Sequence, residues 1–179
     1  MPSHLRKASL RAALLAGLIA IVINTILLYL ADFIPLQTAH GGLLNLMKLV
    51  FGSTLAKLGV ADAWNAFNLP GPGDAVFKTT FHIVVGLGMA VVYAFVVEPI
   101  LTGSAWIKGL VYAVLLWLMN TFLILPLIGE GIAGSRHLNI AGIVYYAAAH
   151  TAFFLLLAWL YDWLAPGQTR RTRDAVTAE

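Results

Sequence analysis

Apolar residues run without a charge over four long stretches of the chain. Residues 12–31 lie between Arg11 and Asp32, and residues 79–97 between Lys78 and Glu98. Residues 109–129 lie between Lys108 and Glu130, and residues 138–161 between Arg136 and Asp162. Crossing a hydrocarbon core of ~30 Å takes about 20 helical residues. In lipid the backbone must satisfy its own hydrogen bonds, so each stretch is read as a helix. The pattern predicts an all-α polytopic membrane four-helix bundle, with spans at about 10–32, 76–98, 105–127 and 139–163.

Between the first two spans the pattern changes. Residues 43–58 are apolar but interrupted by Asn45, Lys48, Gly52 and Lys57. Two lysines and a glycine argue against a fifth span. They fit an additional interfacial amphipathic helix at about 42–58, or a shallow re-entrant one. Residues 61–69 are read as its continuation, with Trp64 and Phe67 anchoring at the headgroup level. Pro70-Gly71-Pro72-Gly73 breaks the chain before the second span. Residues 1–166 then form a single transmembrane domain and 167–179 a polar tail. No internal repeat is evident, although four spans can conceal a two-helix duplication.

Composition narrows the class. Of 179 residues, 60% are hydrophobic and 11% charged, against roughly 45–50% and about 25% in a soluble domain. Soluble and disordered classes are excluded. The chain has no Cys, which excludes disulfides, Cys-ligated zinc, iron–sulfur centres and thiol catalysis. The net charge of +3 gathers mostly near the termini. It forms no basic stripe along which a phosphate backbone would run, so no nucleic-acid partner is expected. Arg6, Lys7 and Arg11 resemble the positive region of a signal peptide. The apolar run behind them is too long, however, and ends in no small-x-small site, so a retained first helix is expected.

Positive charge sets the orientation. With both termini cytoplasmic, the inside carries Arg6, Lys7, Arg11, Lys108, Arg170, Arg171 and Arg173, and the outside Lys48, Lys57, Lys78 and Arg136. Trp106, Trp159, Tyr161 and Trp163 then read as an aromatic belt at the inner surface.

Polar side chains within spans are costly and mark the candidate site. At 1.5 Å per residue, Asn24 lies about 10 Å from the outer end of its span, His82 about 6–8 Å, Asn120 about 9 Å, Tyr146 about 10 Å and His150 about 16 Å. Each span thus offers a polar group to one layer in the outer half. His82, Gly86, Ala90 and Ala94 recur every four residues, a spacing of small residues that lets helices approach closely. Gly109, Ala113 and Asn120 share a stripe on the third span, and Gly142, Tyr146 and His150 on the fourth.

Three readings of this layer stand open. Its amides and imidazoles hydrogen-bond between helices; or it binds a small ligand or ion; or it lines a proton or solute path. Within the second reading, His82 and His150 are the candidate ligands for haem b or a metal ion, because burial favours the neutral imidazole that ligates. Zinc would need a third ligand, for which His40, Glu130 and His137 in the outer connections are candidates. Glu130, Arg136 and His137 would also cap the layer.

Several motifs are decoys. Gly129-Glu130-Gly131-Ile132-Ala133-Gly134 matches G-x-G-x-x-G, but the dinucleotide fingerprint requires a preceding strand. Gly71-Pro72-Gly73-Asp74 and Tyr161-Asp162 resemble the paired motifs of intramembrane aspartyl proteases. Here Asp74 and Asp162 fall at opposite surfaces and in reversed order, and both read as helix-boundary residues. There is no H-E-x-x-H and no G-x-S-x-G. Met47, Met89 and Met119 are scattered, and core packing explains them better than a copper path.

The stretch from His82 to His150 carries His-x3-Gly (His82, Gly86), Tyr93 near a helix end, Gly109 opening the third span, Pro-x2-Gly (Pro126, Gly129) and a late His150. In this it resembles small four-helix bacterial inner-membrane proteins of the YagU-like acid-resistance kind. The resemblance implies a multi-pass inner-membrane protein and transfers no catalytic residue. The resulting expectation is a non-enzymatic membrane protein that binds a small ligand or ion through Asn24, His82, Asn120, Tyr146 and His150, or serves as an accessory subunit. An electron-transfer haem or metal protein and a proton-sensitive channel or transporter are the alternatives. The expected partners are the lipid bilayer and either further copies of the chain or a larger membrane complex.

Overall fold

The computed structural model describes residues 8–34, 36 and 42–165. All regular structure among them is helical. Helix α1 covers Leu10–Phe33. Helix α2 covers Gly42–Lys57 and α3 Val60–Ala66. Helix α4 runs over Ala75–Ile100, α5 over Ala105–Leu127 and α6 over Ile140–Leu164. Helices α1, α4, α5 and α6 are long and apolar enough to cross a membrane, as the charge-free stretches predict.

The sequence explains where these helices start and stop. Asp74 stands just before α4. Its carboxylate accepts from the Gly71 N–H, and its carbonyl accepts the first helical bond, from Lys78 N at 3.0 Å. Asn139 caps α6 through Oδ1, which accepts from Gly142 N at 2.7 Å. Asp74 is therefore a helix-boundary residue, as expected. The Gly129–Gly134 stretch follows α5 and no strand, and it forms the tight exit turn from that helix.

Two of the long helices are not α-helical throughout. Tyr93–Val97 in α4 and Asn120–Ile124 in α5 form π-helical turns. Each lies just ahead of a proline, Pro99 or Pro126. Proline removes an N–H and its ring crowds the preceding turn, so the backbone widens there.

Contacts divide the chain into two compact units. The first comprises residues 1–27, 83–115 and 148–179, the second residues 28–82 and 116–147. In the first unit all four long helices meet. A Cβ added to Gly17 of α1 would lie 2.5 Å from Ala90 Cβ of α4, and one on Gly86 2.5 Å from Ile21 Cδ1. A Cβ on Gly109 of α5 would lie 2.8 Å from the Phe154 carbonyl oxygen of α6. Glycine is what allows these backbones to come so close. Tyr93, Tyr112 and Phe154 continue the core as an aromatic series, with ring centroids 6.1 and 4.7 Å apart.

In the second unit, Trp64 of α3 meets Phe77 of α4 edge to face at 5.6 Å. Its indole N–H donates to the Pro70 carbonyl at 2.9 Å. The Tyr29 and Thr79 hydroxyls tie α1 to α4 at 2.7 Å. Helix α2 packs on the π turn of α5 and buries Leu44. Helix α3 does not continue α2 in line. The two are bent by 83° at Gly59, whose φ of 68° is accessible to glycine at little cost.

Exposed apolar side chains cover the outsides of the long helices, including Leu14, Leu18 and Val22 of α1 and Val114, Leu118 and Phe122 of α5. A surface this greasy suits lipid rather than water. Of the residues expected to form an inner belt, Trp106, Trp159 and Trp163 are exposed. Tyr161 departs from that expectation. It is 1% exposed and its ring packs on Tyr93 at 5.7 Å. Arg6, Lys7, Arg170, Arg171, Arg173, His40 and the tail lie outside the described residues.

Candidate functional site

Of the five predicted site residues, Asn24 and His150 belong to the first unit. His82, Asn120 and Tyr146 belong to the second. Asn24 is 1% exposed. Its amide N–H donates to the Ala149 carbonyl of α6 at 2.8 Å, so α1 and α6 are joined one residue before His150. In lipid such a bond is an alternative to an unsatisfied amide in hydrocarbon.

Asn120 opens the π turn of α5 and shares a side-chain hydrogen bond with Tyr146 of α6. The two polar residues that the sequence assigns to α5 and to the first half of α6 are therefore each other's partners. His82 is half-buried on α4, and His150 is half-buried on α6. Among the described residues no buried side-chain nitrogen or oxygen lacks a hydrogen-bond partner.

The candidate third metal ligands pair elsewhere. His137 Nδ1 bonds the Glu130 carboxylate in the connection between α5 and α6, with the His137 side chain exposed. Arg136 donates to the Gly129 carbonyl at 3.0 Å, within the same connection. Among the described residues no three His, Asp or Glu side chains gather as a metal site would require.

A second polar cluster lies in the first unit, and the sequence reading missed it. Lys108 Nζ donates to Glu98 Oε1 at 2.9 Å, with side-chain exposures of 12% and 10%. It also reaches the Glu98 carbonyl at 3.4 Å. The other carboxylate oxygen, Oε2, accepts from the Tyr93 hydroxyl at 3.1 Å. Tyr161, stacked edge-on against Tyr93, accepts from Ser9 N at 3.1 Å. Tyr112 donates to the Met89 carbonyl at 3.3 Å. The cluster thus links α1, α4, α5 and α6 around one ion pair. The signal was present in the sequence: opposite charges flank a short connection between two spans. Glu98 marked a span boundary there, and Lys108 a span boundary and an inside charge, without the two being paired.

Taken by chemistry, the two groups do similar work. Interhelical amide, hydroxyl and carboxylate bonds satisfy polar groups that lipid cannot. Comparison with protein-family models, with curated proteins and with solved structures finds no match to this chain.

Proposed function

We propose that this chain is a multi-pass bacterial inner-membrane protein with both termini cytoplasmic, and that it acts without catalysis as an accessory subunit of a larger membrane complex. The YagU-like resemblance belongs to the same proposal. What carries the accessory role over ligand binding is the saturation of the polar groups. The Asn24 amide is engaged by the Ala149 carbonyl, Asn120 and Tyr146 engage one another, and no buried side-chain nitrogen or oxygen among the described residues waits for a partner. A pocket selected for a polar ligand would leave donors or acceptors to be completed by it. A scaffold selected for cohesion would complete them internally.

The test is native mass spectrometry of the protein extracted in mild detergent from its own membranes. An accessory subunit enters the instrument within an assembly of fixed stoichiometry, well above its own 19.3 kDa. A lone chain carrying the added mass of a small molecule, and losing it in both His82→Ala and His150→Ala, would replace this reading with the ligand-binding one. A Soret band lost in the same two variants would identify that molecule as haem.

A further inference from the structure

The two π turns are not independent irregularities. Tyr93-Ala94-Phe95-Val96-Val97-Glu98-Pro99-Ile100 and Asn120-Thr121-Phe122-Leu123-Ile124-Leu125-Pro126-Leu127 align without a gap. Phe and Pro are shared, and three of the remaining positions exchange one aliphatic residue for another. Each stretch opens on a polar residue, and that residue is the first of the π turn in both cases. Tyr93 stands seven residues before the end of its span at Ile100, and Asn120 seven before the end of its span at Leu127.

The likeness continues past the turn. Gly103-Ser104 follows the first stretch and Gly134-Ser135 the second. Both glycines have positive φ, 115° and 79°. The first turns of the next helix then carry Ile107-Lys108-Gly109-Leu110-Val111-Tyr112 in one case and Ile140-Ala141-Gly142-Ile143-Val144-Tyr145 in the other. Ile, Gly, Val and Tyr recur at the same places, and Gly109 and Gly142 are both buried. The second connection is longer, and its extra residues close on themselves through Arg136 N to the Glu130 carbonyl at 3.1 Å.

Each copy also falls wholly within one compact unit. The turn 93–97 and the helix start 105–115 lie in the first, and the turn 120–124 and the helix start 140–147 in the second. In both, a tyrosine from the returning helix bonds the helix that carries the turn. The Tyr112 hydroxyl donates to the Met89 carbonyl, four residues ahead of Tyr93. Tyr146, one position past the match of Tyr112, bonds Asn120 itself.

We infer that the α4–α5 and α5–α6 hairpins are two copies of one unit that share α5, and that the unit is a hinge: a π turn set before a proline and clamped by the helix that follows. The copies differ in what holds the turn. The first carries a latch, in which Lys108 and Tyr93 hold Glu98. The second has Leu125 and Ala141 at the matching positions, and those side chains form no ion pair. π turns inside α-helices gather at functional sites and are among the places where helices kink. The hinge in α4 is therefore held, and the hinge in α5 is the one that bends. The parts that move with it are the end of α5 beyond Ile124 and the connection to α6.

Hydrogen exchange of the full chain in nanodiscs, read by mass spectrometry, tests this. Segment 93–99 should exchange more slowly than segment 120–126 in the wild type. Glu98→Gln should speed exchange at 93–99 by about tenfold or more, and leave 120–126 unchanged. Lys108→Met should do the same. Equal exchange of the two segments in the wild type, no response to either variant, or a joint rise at both segments would overturn the hinge assignment. The copy relation has its own test in Leu125→Glu combined with Ala141→Lys, which transplants the latch. A folded double variant should slow exchange at 120–126. One that elutes as the wild type and shows no slowing would refute the equivalence, and the single variants decide the latch even where the double variant does not fold.

Discussion

Gly109 sets how closely α5 and α6 approach, and Gly109→Ala tests whether that approach holds the bundle together. The added Cβ would sit 2.8 Å from the Phe154 carbonyl oxygen, 2.9 Å from Ala158 Cβ and 3.1 Å from Leu155 Cα. Two of these atoms are backbone and the third is a methyl fixed to it, so no rotamer relieves the clash. Helix α6 must retreat by about half an ångström, and overpacking of this kind costs roughly 1–3 kcal/mol. Against it, Ala gains up to about 1 kcal/mol over Gly inside a helix. Gly88 isolates that second effect, because its added Cβ would meet nothing within 4 Å. Gly88→Ala is therefore expected to be neutral to stabilising, and Gly109→Ala destabilising by about 1–2 kcal/mol. The gap between the two variants, about 2 kcal/mol, is roughly 30-fold in the unfolding equilibrium. Steric trapping in bicelles, with biotin tags on α1 and α6, measures it directly. If Gly109→Ala proves as stable as Gly88→Ala, close backbone approach is not what joins these helices.

Three further outcomes follow from named contacts. Asn24→Ala removes the amide bonded to the Ala149 carbonyl and should cost about 0.6–1.7 kcal/mol, the range of interhelical bonds in membrane bundles, by the same trapping assay. A double-mutant cycle on Asn120→Ala and Tyr146→Phe should return a coupling energy of similar size, and additivity within about 0.3 kcal/mol would deny the pair. Asp74→Ala removes the carboxylate that accepts from the Gly71 N–H in the turn ahead of α4 and should cost about 1 kcal/mol, with Asp74→Asn close to wild type, seen as a lower thermal midpoint by circular dichroism.

The spans were legible in the sequence because a bilayer imposes a length on every crossing helix and expels charge from it. Arg11, Lys78, Lys108 and Arg136 marked beginnings that the structure places within a few residues. The close approach of α1 and α4 was legible in Gly86 and Ala90 for a similar reason, since small residues at a four-residue spacing have one main use in lipid. The inward role of Asn24 followed from the cost of an exposed amide. The π turns were not legible, because widening a helix by one residue leaves the apolar pattern intact. The Glu98–Lys108 pair was hidden by its position, since charges at helix ends usually face water. Tyr161 read as an interfacial anchor by residue type, whereas Ser9 and Tyr93 draw it inside. The bend between α2 and α3 depends on the left-handed conformation of Gly59, and glycine within an apolar run does not announce which conformation it takes.

The bonds from Ser9 to Tyr161 and from Asn24 to Ala149 join α1 and the residue before it to α6. During synthesis, α1 leaves the ribosome long before α6 exists. Until α6 is made, the Asn24 amide has no Ala149 carbonyl to meet and must face lipid, another helix or the insertion machinery. A nascent chain stalled before α6 therefore displays a polar flag within the membrane that the finished protein conceals, and quality-control proteases that survey the bilayer would have a physical basis for telling the two apart.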